Sequence, residues 1–176
     1  MQQAVDSLTG WYSCWPFSIN ERKTLAIVFS KGPEEPREIL IGTEEIPWQR
    51  LVIYLGITLD KRLHMLQHIR RTSGIAGNHR HPLAPILGNQ HLPPCRLHLF
   101  SAFLRPIIAY VAPAWCSLMG AAARCILNTT DWKSLRTTLR LGWKPGNAAL
   151  WEIANMPPLD DVLRERTIRF ERGAAS

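Results

Sequence analysis

The stretch Arg50-Leu-Val-Ile-Tyr-Leu-Gly-Ile-Thr-Leu-Asp60 decides how the fold is read. Leu51, Val52, Ile53, Tyr54 and Leu55 form an apolar run, and Gly56 turns it into an alternating tail of Ile57, Leu59 and Asp60. A continuous run of this length predicts a strand covered on both faces. A glycine inside it predicts a bulge, or a second backbone passing close by.

Upstream, Leu25-Ala-Ile-Val-Phe29 and Glu38-Ile-Leu-Ile-Gly42 read as two more strands, separated by the loop Gly32-Pro-Glu-Glu-Pro36. Three strands with short connections between residues 24 and 60 predict antiparallel neighbours. Ahead of them, Val5, Leu8, Trp11, Tyr12 and Trp15 recur at helical spacing, with Gly10 weakening the helix and Pro16 ending it. Core packing is the expected use of its tryptophans. The helix begins at the first residue with no cap before it, as though the chain once extended upstream.

Downstream the period changes. Leu63, Leu66, Ile69, Ile75 and Ala76 predict a helix over residues 62–76, flanked by His68, Arg70 and Arg71. Residues 77–94 read as loop, because Pro82, Pro85, Gly88, Pro93 and Pro94 fall there. Leu97, Phe100, Leu104, Ile107 and Val111 mark a long helix that Pro106 kinks or divides. Leu127, Trp132, Leu135 and Leu139 mark an amphipathic helix over residues 121–141, closed by Gly142, with Lys133, Arg136 and Arg140 on its other side. Asn147 and Asp160 stand where they can cap two final helices. The fold class is therefore α+β: a small antiparallel sheet with one helix over residues 1–60, then a mostly helical region over residues 61–176.

A hydrophobic fraction of 46% can support a core and excludes wholesale disorder. A net charge of +7 points to an anionic partner. Cys14, Cys95, Cys116 and Cys125 form no Cys-x-x-Cys pair, and the N-terminus has no secretory pattern. Reduced thiols in an intracellular protein are expected, with Cys116 and Cys125 buried rather than nucleophilic; the compartment is not legible. Arg105, Pro106 and Pro113 interrupt the most apolar segment, residues 97–119, so it reads as a poor membrane span. His79-x-His81-x9-His91-x3-Cys95-x2-His98 offers zinc-ligand types, but its spacing matches no regular zinc module, and no metal is expected. Arg70, Arg71, Arg80, Arg96, Arg105, Lys133, Arg136, Arg140 and Lys144 give the helical region its cations. They suit either phosphate contacts or solvated helix faces, and residue by residue both readings stand.

Three motifs in order carry a family resemblance. They are Trp11-x3-Trp15-Pro-Phe-Ser-Ile-Asn20-x2-Lys23-Thr24-x4-Phe29, then Tyr54-Leu55-Gly56-Ile57-x-Leu59-Asp60, then Arg105-Pro106-x3-Tyr110-x2-Pro113-x-Trp115. Over about residues 2–170 the chain resembles the C-terminal half of a non-LTR retrotransposon reverse transcriptase of the jockey-like kind. The resemblance implies the end of a polymerase palm over residues 1–60 and a thumb-like helical region over residues 61–176. Asn20-x2-Lys23-Thr24 is similar to the family's motif D, whose lysine is a general acid for the leaving pyrophosphate; read alone, Lys23 is a solvated turn lysine. Tyr54-Leu55-Gly56 is similar to motif E, the primer grip; read alone, Gly56 is a strand bulge. Arg70, Arg71, Arg105, Lys133, Arg136 and Arg140 would then face duplex phosphates.

The family's Tyr-Ala-Asp-Asp, expected just before the first helix, does not occur in the chain. Polymerase chemistry needs metal ions held by carboxylates, Mg in the intact family enzyme, and this chain is expected to hold no cofactor. The adjacent pair Asp160-Asp161 follows Pro157-Pro158 and suits a helix cap instead. The expectation is a truncated reverse transcriptase, inactive alone, or a non-catalytic nucleic-acid-binding module. Its partners would be an RNA/DNA duplex and the missing palm and fingers, with no membrane.

Overall fold

The computed structural model describes residues 1–16, 18–30, 37–86, 93–141 and 145–174. The loop expected at residues 32–36, and His91, Gly142 and Lys144, lie outside the described residues. The chain is α+β, as its patterning implies, and divides into two units, Met1–Leu63 and His64–Ser176.

The first unit holds helix α1 (Gln2–Ser13), a 3₁₀ turn (Glu21–Lys23) and two hairpins. Strand β1 (Leu40–Ile41) pairs antiparallel with β2 (Glu44–Glu45), and β3 (Leu51–Tyr54) with β4 (Ile57–Asp60). The three adjacent strands expected are thus two separate two-stranded sheets. Residues 25–29 make one parallel bridge, Ala26 to Trp48, instead of a strand. A β-branched run supplies strand potential, but a ladder also needs a free edge beside it. At β1 a side chain occupies that edge. The Gln2 Nε2 donates to the Leu40 carbonyl at 2.9 Å, and the Leu40 N–H donates to Gln2 Oε1 at 2.9 Å. One side-chain amide therefore stands in for one peptide unit of a neighbouring strand.

The core of this unit is small: Ile39, Ile41 and Ile46, with Val5, Ile19, Ala26 and Trp48 packed on it. The strand expected to be covered on both faces is not. Leu51, Ile53 and Tyr54 are exposed in β3, and burial falls on Ile57 and Thr58 of β4. Trp11 and Trp15 do not enter the core either; both are more than half exposed, with ring centroids 5.7 Å apart.

The second unit is helical. Helix α2 (Leu66–Ile86) runs ten residues beyond its expected end, through Pro82 and Pro85. Both prolines lie in its last five residues, where each removes one backbone bond with little helix beyond to disrupt. Helix α3 (Pro93–Leu99) passes through a π-turn (Phe100–Leu104) into α4 (Arg105–Ile108). Pro106 has no N–H for the carbonyl four residues back, and its ring crowds that carbonyl. The backbone widens ahead of it, so the Arg105 N–H bonds to the Phe100 carbonyl, five residues back. Helix α5 (Ala112–Trp115), α6 (Ala121–Leu139), α7 (Asn147–Ala154) and α8 (Leu159–Ala174) follow. Arg140 and Asn155 close α6 and α7 in the left-handed conformation. Asn147 begins α7 rather than capping it, and Asp160 lies within the first turn of α8.

Among the described residues, Cys95–Leu118 is the helical stretch long and apolar enough to cross a membrane by length and composition. Its Phe100 and Leu104 form a core with Leu135, Leu150 and Ala154. An ion pair lies beside this core. Arg105 Nε and Nη2 reach the two carboxylate oxygens of Asp131 at 3.4 Å each, and Nη2 also donates to the Pro157 carbonyl at 2.7 Å. Trp151 Nε1 donates to Asp131 Oδ2 at 3.1 Å.

Two outcomes follow from this packing. Asp131→Ala strands a buried guanidinium and should cost about 3–5 kcal/mol in urea unfolding. The double change Arg105→Met with Asp131→Leu should recover most of that loss, because both charges leave together. The second outcome concerns His68, buried with its ring on the edge of Trp115 at 5.4 Å. Burial holds its pKa below the ordinary 6.5, and the Arg71 charge lowers it further. The folded state therefore prefers neutral His68. Its contribution is fully present above pH 6.5 and is lost as pH falls from there through the lower folded value. Thermal melts should show this acid-side loss, and His68→Phe should flatten it.

Candidate nucleic-acid interface

Helices α2 and α6 pack against one another with an uneven charge. The 21 residues of α2 contain Arg70, Arg71 and Arg80 and no carboxylate. The 19 residues of α6 contain Arg124, Lys133 and Arg136 and a single carboxylate, Asp131, which is fully buried against Arg105. No acidic side chain of either helix therefore opposes their outer cations. Between the helices lies a groove of about 440 Å³, lined by Ser73, Gly74, Gly77 and Arg80 from α2 and by Cys125, Ile126, Thr129, Thr130 and Lys133 from α6. A Cβ at Gly74 or Gly77 would meet no atom within 4 Å, so these glycines leave open space. Thr130 Oγ1 lies 2.9 Å from Ser73 Oγ and ties the two walls together.

Of the cations read from the sequence, Arg70, Arg71, Lys133, Arg136 and Arg140 are exposed. Lys133, Arg136 and Arg140 fall at helical spacing along α6 and its closing residue. Arg136 is partly committed: its Nη2 donates to Asn147 Oδ1 at 2.6 Å and to the Pro145 carbonyl at 3.2 Å. Arg105 is a correction. It was expected to face phosphate, but its side chain is only 7% exposed and is paired with Asp131. Nothing in local patterning separates an arginine with a buried acid partner 26 residues away from a surface arginine. The groove itself was also missed. Ser73 and Gly74 carry no apolar signal and Gly77 opens the expected loop, although in α2 their spacing places them along one side.

In the first unit, Asn20-x2-Lys23-Thr24 folds as a self-contained turn. Asn20 Oδ1 accepts from the Lys23 N–H at 3.2 Å, and the Thr24 hydroxyl donates to the Asn20 carbonyl at 2.9 Å. Asn20 and Thr24 are thereby used in shaping the turn, and Lys23 is left exposed on it. Tyr54, Leu55 and Gly56 form the tip of the β3–β4 hairpin. Leu55 and Gly56 both have positive φ, 48° and 83°, which is the two-residue turn whose twist matches paired strands. Gly56 is thus a turn residue and not a bulge. Leu55 is 72% exposed while holding a conformation that disfavours a branched side chain.

The cysteines divide differently from expectation. Burial pushes the thiol of half-buried Cys116 above its ordinary pKa, with Asp160 adding to the rise against the opposing charge of Arg124. Cys125, expected to be buried, is exposed on the groove wall. Among the described residues no three His, Cys, Asp or Glu side chains gather where they could hold a metal ion. Asp160 is engaged with Arg124 at 3.3 Å and Asn128 at 3.2 Å. The chain matches no protein-family model, no curated protein and no solved structure.

Proposed function

We propose that the chain is a non-catalytic relative of the palm end and thumb of a non-LTR retrotransposon reverse transcriptase, and that its helical unit holds a nucleic-acid duplex by the backbone. The observation that carries this reading is the charge separation on α2 and α6, where the lone carboxylate is buried and cations occupy the exposed side. Arg70, Arg71, Lys133, Arg136 and Arg140 would neutralise phosphates without reading sequence. Two features of the first unit agree with the resemblance: the exposed Lys23 on its capped turn, and the tight turn at Tyr54-Leu55-Gly56. Polymerisation needs a carboxylate pair for metal, and Asp160 is already engaged elsewhere.

Binding of an RNA–DNA hybrid should weaken steeply with salt. The logarithmic slope should be about −3 to −5 for four or five phosphate contacts. Arg70→Gln or Lys133→Gln should each reduce that slope by about 1. A slope near zero, or no binding at low salt, would sink the reading. In a primer-extension assay with Mg²⁺ the chain alone should incorporate no nucleotide; metal-dependent incorporation would overturn the non-catalytic assignment.

A further inference from the structure

The groove between α2 and α6 is more than a stretch of basic surface. Among the described residues its walls carry two cations, Arg80 and Lys133, and no carboxylate. Neither cationic side chain makes an ion pair or hydrogen bond among the described residues, whereas Arg105, Arg124 and Arg136 do. Two long cationic side chains, one from each wall, bring positive charge to the same cleft, where an anion would be attracted to both. The cleft is also of ligand size, and Gly77 leaves room where any larger residue would fill it.

The hydroxyl geometry narrows the ligand. The Thr129 proton goes to the Cys125 carbonyl at 2.8 Å. The Thr130 proton lies within reach of both the Ile126 carbonyl and Ser73 Oγ, each at 2.9 Å. When Thr130 donates to Ser73, the proton of Ser73 is free to turn toward the groove. The available donors are then the Arg80 guanidinium fork, the Lys133 ammonium and the Ser73 hydroxyl. An acceptor-only group with several oxygens and net negative charge satisfies all three.

We propose that this groove is a discrete phosphate-binding site, in which Arg80 and Lys133 clamp one phosphate group and Ser73 donates to it. The assignment stands on the groove and does not depend on the duplex reading of the wider surface. The phosphate could belong to a free or terminal phosphate, or to one phosphodiester of a strand.

Cys125 supplies a reporter, since its thiol lines the groove while the exposed thiols of Cys14 and Cys95 lie outside it. The full chain would be alkylated with neutral iodoacetamide at constant ionic strength, and modification at each cysteine followed by mass spectrometry. Saturating pyrophosphate should slow Cys125 by about an order of magnitude, leaving Cys14 and Cys95 unchanged. Gly77→Leu fills the groove while raising helix propensity, so the fold is kept, and it should abolish the protection. Lys133→Gln should weaken it. A dinucleoside monophosphate, which carries only an internal diester, forms the second arm. Protection by pyrophosphate alone identifies a free or terminal phosphate; protection by both identifies a strand. Equal slowing of all three thiols, no slowing by either probe, or protection that survives Gly77→Leu overturns the proposal. Loss of RNA–DNA binding with Cys125 protection intact would remove the duplex reading and leave this site standing.

Discussion

The Arg105–Asp131 pair is the interaction on which the helical unit depends. It joins four pieces of chain: α4 after the π-turn, α6, Trp151 of α7 and the Pro157 carbonyl ahead of α8. A buried pair is a poor source of net stability, because desolvating two charges consumes most of their attraction. Its use is specificity. A guanidinium with several acceptors to satisfy favours one angle at which those pieces meet, a directional constraint that an apolar pair does not itself supply. Pro106 prepares the geometry, since the widened turn before it changes the side of the helix that Arg105 occupies.

That internal commitment has an external consequence. Asp131 is the lone carboxylate of α6, and α2 has none. By drawing Asp131 into the core, Arg105 removes the charge that would otherwise temper Lys133 and Arg136. One buried interaction thus builds the fold and sharpens the positive potential outside it. The same arginine supports function only indirectly, as a group that withdraws an anion from the surface.

What was legible in the sequence tracks the range of the forces involved. The three last helices were visible because helical spacing and Gly, Pro and capping signals are local, although α6 buries Thr130, Asp131, Ser134 and Thr138 beside Leu127 and Leu135 and so has no clean apolar face. The end of α2 was not, because Pro82 and Pro85 break a helix only where helix must continue beyond them. The sheet was misread for a different reason. Leu25 to Phe29 has the composition of a strand, but pairing is decided by which edges are open, and the Gln2 amide closes the edge of β1. The groove was hidden because Ser73, Gly74 and Gly77 acquire meaning only when α6 lies beside them. The Tyr54-Leu55-Gly56 turn was nearly legible: Gly56 signalled a change of direction, and only the positive φ at Leu55 distinguishes a hairpin tip from a bulge.

Counting cations therefore overstates an electrostatic surface, and the structure says by how much each one should be discounted. Arg105 contributes nothing outside, since its charge is matched in the core. Arg124 is half matched by Asp160, with both side chains partly exposed. Arg136 keeps its full charge, because its partners are a carbonyl and an amide, which orient the guanidinium without neutralising it. An oriented, unneutralised arginine is better prepared for an anion than a freely rotating one, because part of its conformational entropy is already lost. Arg80 and Lys133 have no carboxylate partner among the described residues, and they share a cleft. The distinction that matters for recognition is thus between charge spread along α6, which attracts any polyanion, and charge held beside a cavity, which selects for what the cavity admits.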